Sequence, residues 1–375
     1  MRIAVDARMY GKKFTGIGRY ISELLHNLAA IDQENEYLIL LRKDNFDECQ
    51  INQPNFKKIL ADFPHYSIAE QTKFLRFLNK LDVDLVHFPH FNAPVFYKKP
   101  FVVTIHDLIH TLFPGKKKSR FLHRLFYGLV IRSTVKHSYF TIAVSENTKQ
   151  DLVKILHADP NKIAVTYEAV DPQYREISDH KIIADLKAKY HIAKPFLLYI
   201  GNWRYHKNVQ GLVAAFNLIK SRYKIDCQLI VTGEIGKPEQ EEAEAAIQNS
   251  PYRNDIILPG FVPEEELPLF YSAATIFTFP SFYEGFGLPP LEAMACGTPV
   301  VSSNTSSMPE ILGDAAVYFD PDDANNMAEQ IIKVLQDQNL QKQMRLKGIE
   351  RVKRYSWKCM AKETLDIYRK IKRQW

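Results

Sequence analysis

The chain has 375 residues, too many for one ordinary hydrophobic core and about what two α/β domains need. Apolar residues make up 46% and charged residues 25%, which excludes a disordered chain, and no run approaches the roughly 20 apolar residues of a membrane-spanning helix. The net charge of +6 suits phosphate-bearing ligands or an anionic membrane face, and it is too small to imply nucleic-acid binding.

In chain order, the first half alternates short β-branched runs with amphipathic stretches. The chain opens directly on a strand, so no secretory leader is expected. Strands are expected over residues 2–7, 37–41, 85–88, 101–105, 140–144 and 163–167. These are continuous, mainly apolar runs without in/out alternation, as in parallel strands covered on both faces. Helices are expected over 17–28 and 68–81, and from Ser145, an N-cap followed by Glu146 in the first turn. Thr15-Gly16-Ile17-Gly18-Arg19-Tyr20 either places two glycine amides at a helix N-terminus or is simply a tight turn. His106 and Asp107 end the strand over 101–105 at its carboxyl edge, where open α/β sheets bind ligands. His87, His90, His106 and His110 sit at strand exits and share no helix face, so no metal site is expected. Lys116, Lys117, Lys118 and Arg120 lead into Leu122, Leu125, Phe126, Leu129 and Val130, with Arg124, Arg132 and Lys136 alongside. That stretch reads either as a core-packed helix with a solvated basic cap or as a peripheral patch for anionic lipid.

Residues 173–194 are polar and charged and read as a connector. A second strand series follows over 196–200, 228–232, 256–258, 275–279 and 300–302, again separated by helical patterns. Two doubly wound α/β domains are therefore expected, over 1–172 and 195–357, with their loops across one cleft. The four cysteines, Cys49, Cys227, Cys296 and Cys359, show no C-x-x-C spacing and read as idle thiols of a reducing cytoplasm.

Pro280 to Glu292, PSFYEGFGLPPLE, carries the most chemistry. A strand ends at Pro280, glycines allow a tight turn, and prolines sit where a helix begins. Backbone amides of Gly285, Phe286, Gly287 and Leu288 are expected to offer donors to phosphate or hydroxyl oxygens near a positive helix end. Glu284 and Glu292 bracket this loop, and a carboxylate accepts two hydrogen bonds side by side, which matches vicinal sugar hydroxyls. Upstream, Arg204 and Lys207 follow another strand end and together could neutralise a diphosphate, Arg through its fork and Lys as a point charge.

With EGFGLPPLEAMACGTPVV around the E-x7-E pair, the chain resembles glycosyltransferase family 4, of the GT-B fold. TGIGRY, TIHD, VSENTKQDL, HKN, LPGFVPEEEL, SSMPEILGDAA and YSW carry the likeness nearly end to end. Within the family it is similar to bacterial mannosyltransferases that build O-antigen and other surface polysaccharides. The resemblance implies a retaining transferase without metal or other cofactor, GDP-mannose as donor, and a glycan or lipid-linked oligosaccharide as acceptor. It implies a cytoplasmic protein, with a peripheral contact at the inner membrane face under the lipid-patch reading. It further implies that Gly16 and Gly18 approach the donor diphosphate, that His106 contacts the donor sugar, and that backbone near Val262 meets the base. Glu284 is expected to hold donor-sugar hydroxyls and Glu292 those of the ribose, while Arg204, Lys207 and the loop amides stabilise the departing diphosphate. A last helix over 358–375 is expected to return to the first domain. The chain departs from the family at Asn202, near which some members carry Arg, and at Tyr167-Glu168-Ala169-Val170-Asp171, which replaces a more usual Asn-Gly-Val-Asp. Two other readings of the site are a glycoside hydrolase using Glu284 and Glu292 as acid and base, and a sugar-nucleotide-binding module without turnover.

Overall fold

The structure, a computed structural model, describes residues 1–113, 121–233, 236 and 240–373, with residues 121–123 described by backbone alone. It divides into two units, Met1–Glu168 with Ser356–Trp375, and Ala169–Tyr355.

The first unit holds a seven-stranded parallel sheet. Its strands in chain order are β1 (Arg2–Asp6), β2 (Glu36–Leu41), β3 (Phe56–Leu60), β4 (Leu85–Phe88), β5 (Phe101–Ile105), β6 (Phe140–Ala143) and β7 (Ile163–Val165). They lie in the order β3-β2-β1-β4-β5-β6-β7, so the winding direction reverses between β1 and β4. The second unit holds a six-stranded sheet of β8 (Phe196–Tyr199), β9 (Gln228–Thr232), β10 (Ile256–Gly260), β11 (Ile276–Phe279), β12 (Val300–Ser303) and β13 (Ala316–Phe319), ordered β10-β9-β8-β11-β12-β13. All pairings in both sheets are parallel, and the second sheet reverses between β8 and β11. Ligand loops belong at the carboxyl ends flanking such reversals.

The apolar runs form strands because both faces are covered: every residue of β4, β5, β6, β8, β9, β11 and β12 is buried. Two strands escaped sequence reading, β3 and β13, both at sheet edges. In β3, Lys57 and Lys58 break the continuous apolar signal, whereas β13 is a short apolar run, AVYF, that is half-buried at three of its four positions.

Two boundaries differ from those expected. Residues 173–194 are no bare connector. Helix His180–Lys189, capped by the Asp179 side chain, packs on helix Leu267–Ala273 within the second unit, where Tyr190 lies 4.9 Å from Phe270. Its outer face is polar, which gave the stretch its linker-like composition. The first unit's opening segment ends at Glu168, and it is completed by the C-terminal helix Trp357–Lys372. That helix is N-capped by Ser356 and buries Trp357, Met360, Ala361, Thr364, Leu365, Ile367, Tyr368 and Ile371. It packs on helix Thr15–Ile31, which offers Ile21, Leu24, Leu25 and Leu28 at helical spacing.

Cys49, Cys227 and Cys296 are buried and Cys359 is exposed, and all four are free thiols. Burial pushes the thiols of Cys227 and Cys296 up to about 11 and about 12, which keeps them protonated and unreactive.

Candidate functional site

In the second unit the reversal between β8 and β11 brings two predicted residues together. The loop after β8 tightens into a short turn over Tyr205–Lys207, and Asn208, left-handed at φ 53°, then caps helix Val209–Ser221 by accepting from Gly211 N–H. Lys207 thereby points at the end of β11. Its Nζ lies 2.6 Å from Glu284 Oε1, with side chains 15% and 9% exposed, and 5.6 Å from the Phe279 ring centroid. Arg204 does not join this pair. It stands exposed at the start of the turn and forms no ion pair among the described residues.

The loop carrying Glu284 is anchored by its own backbone. Phe282 N–H donates to the His206 carbonyl at 2.8 Å, and Glu284 N–H donates to Ser306 Oγ at 2.9 Å. Ser307 Oγ donates to the carbonyls of Glu284 and Phe286, both at 3.1 Å. Gly287 sits at φ 93°, and a Cβ there would come within 2.2 Å of Met308, so the turn requires glycine. Helix Leu288–Ala295 begins directly after it with Pro289 and Pro290 in its first turn. Those prolines have no N–H, so the amides left over by the helical ladder at this end are those of Gly287 and Leu288. Gly285 and Phe286 lie in the turn that leads into this helix end.

Glu292 is the fifth residue of that helix, beyond the first turn, and 4% exposed. Dipole stabilisation of an exposed acid therefore does not explain it. The buried Tyr271 hydroxyl donates to Glu292 Oε2 at 2.8 Å. Burial first, and the Glu292 charge second, raise that phenol well above its ordinary value, so it remains a donor. Val262 is buried just after β10, beside Phe261, which is exposed.

In the first unit His106 follows β5, and both its ring nitrogens are engaged. Nδ1 lies 3.0 Å from Glu168 Oε1 and Nε2 lies 2.9 Å from the Pro89 carbonyl. Its ring meets Tyr20 edge-on at 4.8 Å. Tyr20 Oη lies 3.0 Å from Thr104 Oγ1, which lies 2.9 Å from His87 Nε2, and His87 Nδ1 meets the Tyr368 hydroxyl at 2.5 Å. Burial lowers His87 to about 3, so the ring is neutral and relays hydrogen bonds between the C-terminal helix and β5. Among the described residues no three His, Cys, Asp or Glu side chains group as a metal site.

The two glycines of the 15–20 loop part ways. Helix Thr15–Ile31 starts earlier than expected, so Gly18 is its fourth residue, whose amide reaches the helical ladder. A Cβ on Gly18 would come within 2.0 Å of the Gly11 carbonyl, which is a packing requirement. Gly16 has open space around it, and Thr15 beside it is held at φ 48°, a strained conformation for a β-branched residue.

Sequence reasoning missed a buried polar group at the carboxyl end of β1. Arg8 is 1% exposed and donates to Asp6 through Nε at 2.8 Å and Nη2 at 2.7 Å, and to Glu70 at 2.7 Å. Glu70 opens a widened π-helical turn, Glu70–Phe74, accepts from Asn92, and holds Tyr66 N–H at 3.0 Å. Tyr66 is thereby fixed at φ 56°, its half-exposed ring stacked 5.7 Å from Phe91. No motif announced this platform, because its parts lie on three separate segments.

The basic run at residues 116–120 lies outside the described residues, as does the side chain of Leu122. From residue 124 onward the helix Phe121–His137 exposes Leu125, Phe126 and Leu129, with Arg132 and Lys136 also exposed. No helix among the described residues is long and apolar enough to cross a membrane.

Two family profiles cover most of the chain: "Glycosyltransferase Family 4" matches residues 14–174 and "Glycosyl transferases group 1" matches residues 184–351. The chain is 30% identical to the O-antigen chain mannosyltransferase B of Escherichia coli, over 95% of this chain and 96% of that protein. Its fold is similar to that of the sucrose-phosphate synthase of Thermosynechococcus elongatus, with a TM-score of 0.79 and 22% identity over the whole of both chains. Anabaena HepE, solved with UDP and glucose, gives 0.76 and 16% over 99% of this chain and 100% of that one. Both likenesses place the two Rossmann-like sheets in the GT-B fold.

Proposed function

The chain belongs to glycosyltransferase family 4 and is a hexosyltransferase, and from that premise we propose that it moves mannose from GDP-mannose to a hydroxyl of a glycan or lipid-linked oligosaccharide. The reaction retains anomeric configuration and uses no metal ion. The observation that carries the mannose reading is the similarity to an O-antigen mannosyltransferase along 95% of the chain.

The residue roles we propose join the family resemblance to the local geometry of each unit. Lys207, already drawn to a carboxylate, is the cation offered to the donor diphosphate, with Gly287 and Leu288 amides at the helix end. Gly285 and Phe286 form the turn that sets their position, and Arg204 adds an exposed second cation. Glu284 takes donor-sugar hydroxyls once Lys207 engages phosphate, Glu292 takes the ribose hydroxyls, and the backbone at Val262 meets the base. On the first unit, His106 orients the donor sugar, the loop with Gly16 approaches phosphate, and the Tyr66 ring offers an apolar face to an acceptor sugar. The acceptor oxygen attacks the anomeric carbon as its bond to the diphosphate breaks, and the departing phosphate oxygen takes the acceptor's proton. Charge growing on that phosphate is what Lys207 and the amides stabilise.

A hydrolase would need Glu284 and Glu292 free to exchange protons, whereas one pairs with Lys207 and the other with buried Tyr271. Leu125, Leu129, Arg132 and Lys136 recur at helical spacing on one exposed face, an apolar and cationic mixture that supports peripheral contact with anionic lipid on the cytoplasmic side.

A thermal-shift series with GDP, UDP, ADP and dTDP tests the donor. A ligand that binds only the folded chain stabilises it by about 2.7 kcal/mol at a hundred times its Kd. GDP is expected to raise Tm the most, unchanged by EDTA. A larger shift with UDP or ADP, or loss of the GDP shift on chelation, refutes the reading.

A further inference from the structure

The partners of His106 fix its protonation. The Pro89 carbonyl only accepts, so Nε2 carries a hydrogen. Glu168 is 7% exposed at its side chain, and its carboxylate also only accepts, so Nδ1 carries a hydrogen as well. A ring that donates at both nitrogens is an imidazolium. We propose that Glu168 is a positioning residue for sugar transfer, holding His106 as a cation whose Nε2–H donates to a substrate oxygen and so barring His106 from acting as a base. The proposal rests on the placement of His106 at the donor sugar given above.

The two bonds on the ring are unequal. The bond to Glu168 joins opposite charges, whereas the bond to Pro89 has a neutral acceptor and is the easier to exchange. A substrate oxygen therefore displaces the Pro89 carbonyl, and Nδ1 stays locked. The surroundings agree. Burial alone would lower the His106 imidazolium, but the hydrogen bond and charge of Glu168, with the Pro89 carbonyl and Asp107 behind them, outweigh burial and raise it. His87 and His90, on β4 and just after it, are both depressed by burial and then by the His106 charge, so they stay neutral. Tyr20, from helix Thr15–Ile31, is raised by burial and adds no charge. Glu168 is thus the buried carboxylate that answers the ring.

The test is Glu168→Gln, which keeps the side chain's shape: the amide can donate to Nδ1 while Nε2–H still reaches Pro89. Imidazole nitrogen NMR on the full chain, with His106 assigned by its loss in His106→Asn, reads the titration directly. In the wild type both His106 nitrogens are expected to be protonated at pH 7, and in Glu168→Gln the midpoint is expected about 1–3 pH units lower. The alkaline limb of kcat should fall by the same interval, and Glu168→Asp should restore part of it. A neutral His106 in the wild type at pH 7 overturns the proposal without needing any variant to fold. A midpoint that moves while the kcat profile stays put also overturns it, because the pair is then only structural. Neither result touches GDP stabilisation through the second unit, so failure here and failure of the donor assignment are separable.

Discussion

Ending the chain after Tyr355 removes the C-terminal helix from the first unit, and the burial of that helix sets the expected cost. Met360, Leu365, Ile367 and Ile371 are each no more than 7% exposed. At about 1.5–3 kcal/mol per buried large apolar side chain, these four contribute roughly 6–12 kcal/mol, an upper figure because the unfolded chain is not fully extended. Loss of Tyr368 also removes the hydrogen-bond partner of His87 Nδ1 and opens that side of the core to water. A whole domain is stable by only about 5–15 kcal/mol, so the truncated first unit should not hold its native packing. The second unit keeps its own sheet and core. Hydrogen exchange read by mass spectrometry on the truncated chain should show β1, β4 and helix Thr15–Ile31 losing protection while β8, β9 and β11 retain theirs. Full protection of β1 and β4 would refute the reasoning, since the helix would then be an appendage rather than part of that core.

Lys207→Ala and Glu292→Ala should each weaken GDP affinity by about 1.5–3 kcal/mol, roughly 10- to 150-fold in Kd, through loss of one charge-assisted contact. Calorimetry finding unchanged affinity in both removes the diphosphate and ribose assignments. Leu125→Glu with Leu129→Glu should abolish co-sedimentation with vesicles rich in anionic phosphatidylglycerol, and the wild type should not bind neutral phosphatidylcholine vesicles. Equal binding by the variant dismisses the lipid face and leaves an ordinary solvated helix.

Much of the architecture was legible because parallel strands covered on both faces must be apolar throughout. β4, β5 and β9 begin and end at the bounds expected from sequence, with Leu229-Ile230-Val231 as the apolar centre of β9. Strands with one wet face were not legible in this way, as β3 with Lys57 and Lys58 illustrates. Local motifs placed Glu284, Gly287 and Glu292 on a turn and the helix after it, because proline and glycine chemistry fixes a helix start within a few residues. What the motifs could not supply is the partner across the sheet. Lys207 meets Glu284 across 77 residues and His106 meets Glu168 across 62, distances in sequence that only strand order closes. Glu168 was visible solely as a departure from a familiar connector, and its link to His106 depends on β5, β6 and β7 lying side by side.

Those two pairs share a physical logic. A cation kept at a partly dry carboxyl edge is costly unless a carboxylate answers it, and removing one partner leaves the other charge buried and uncompensated. Lys207 at 15% side-chain exposure and His106 at 12% are both held this way within their own units. The consequence for substrate is different in each. A diphosphate carries more negative charge than Glu284, so it can take Lys207 over and release Glu284 to accept hydroxyl hydrogens. A neutral sugar oxygen cannot displace Glu168 from His106 in that way, and only the Pro89 carbonyl is exchangeable. The same kind of ion pair therefore acts as a replaceable placeholder in the second unit and as a fixed orienting clamp in the first.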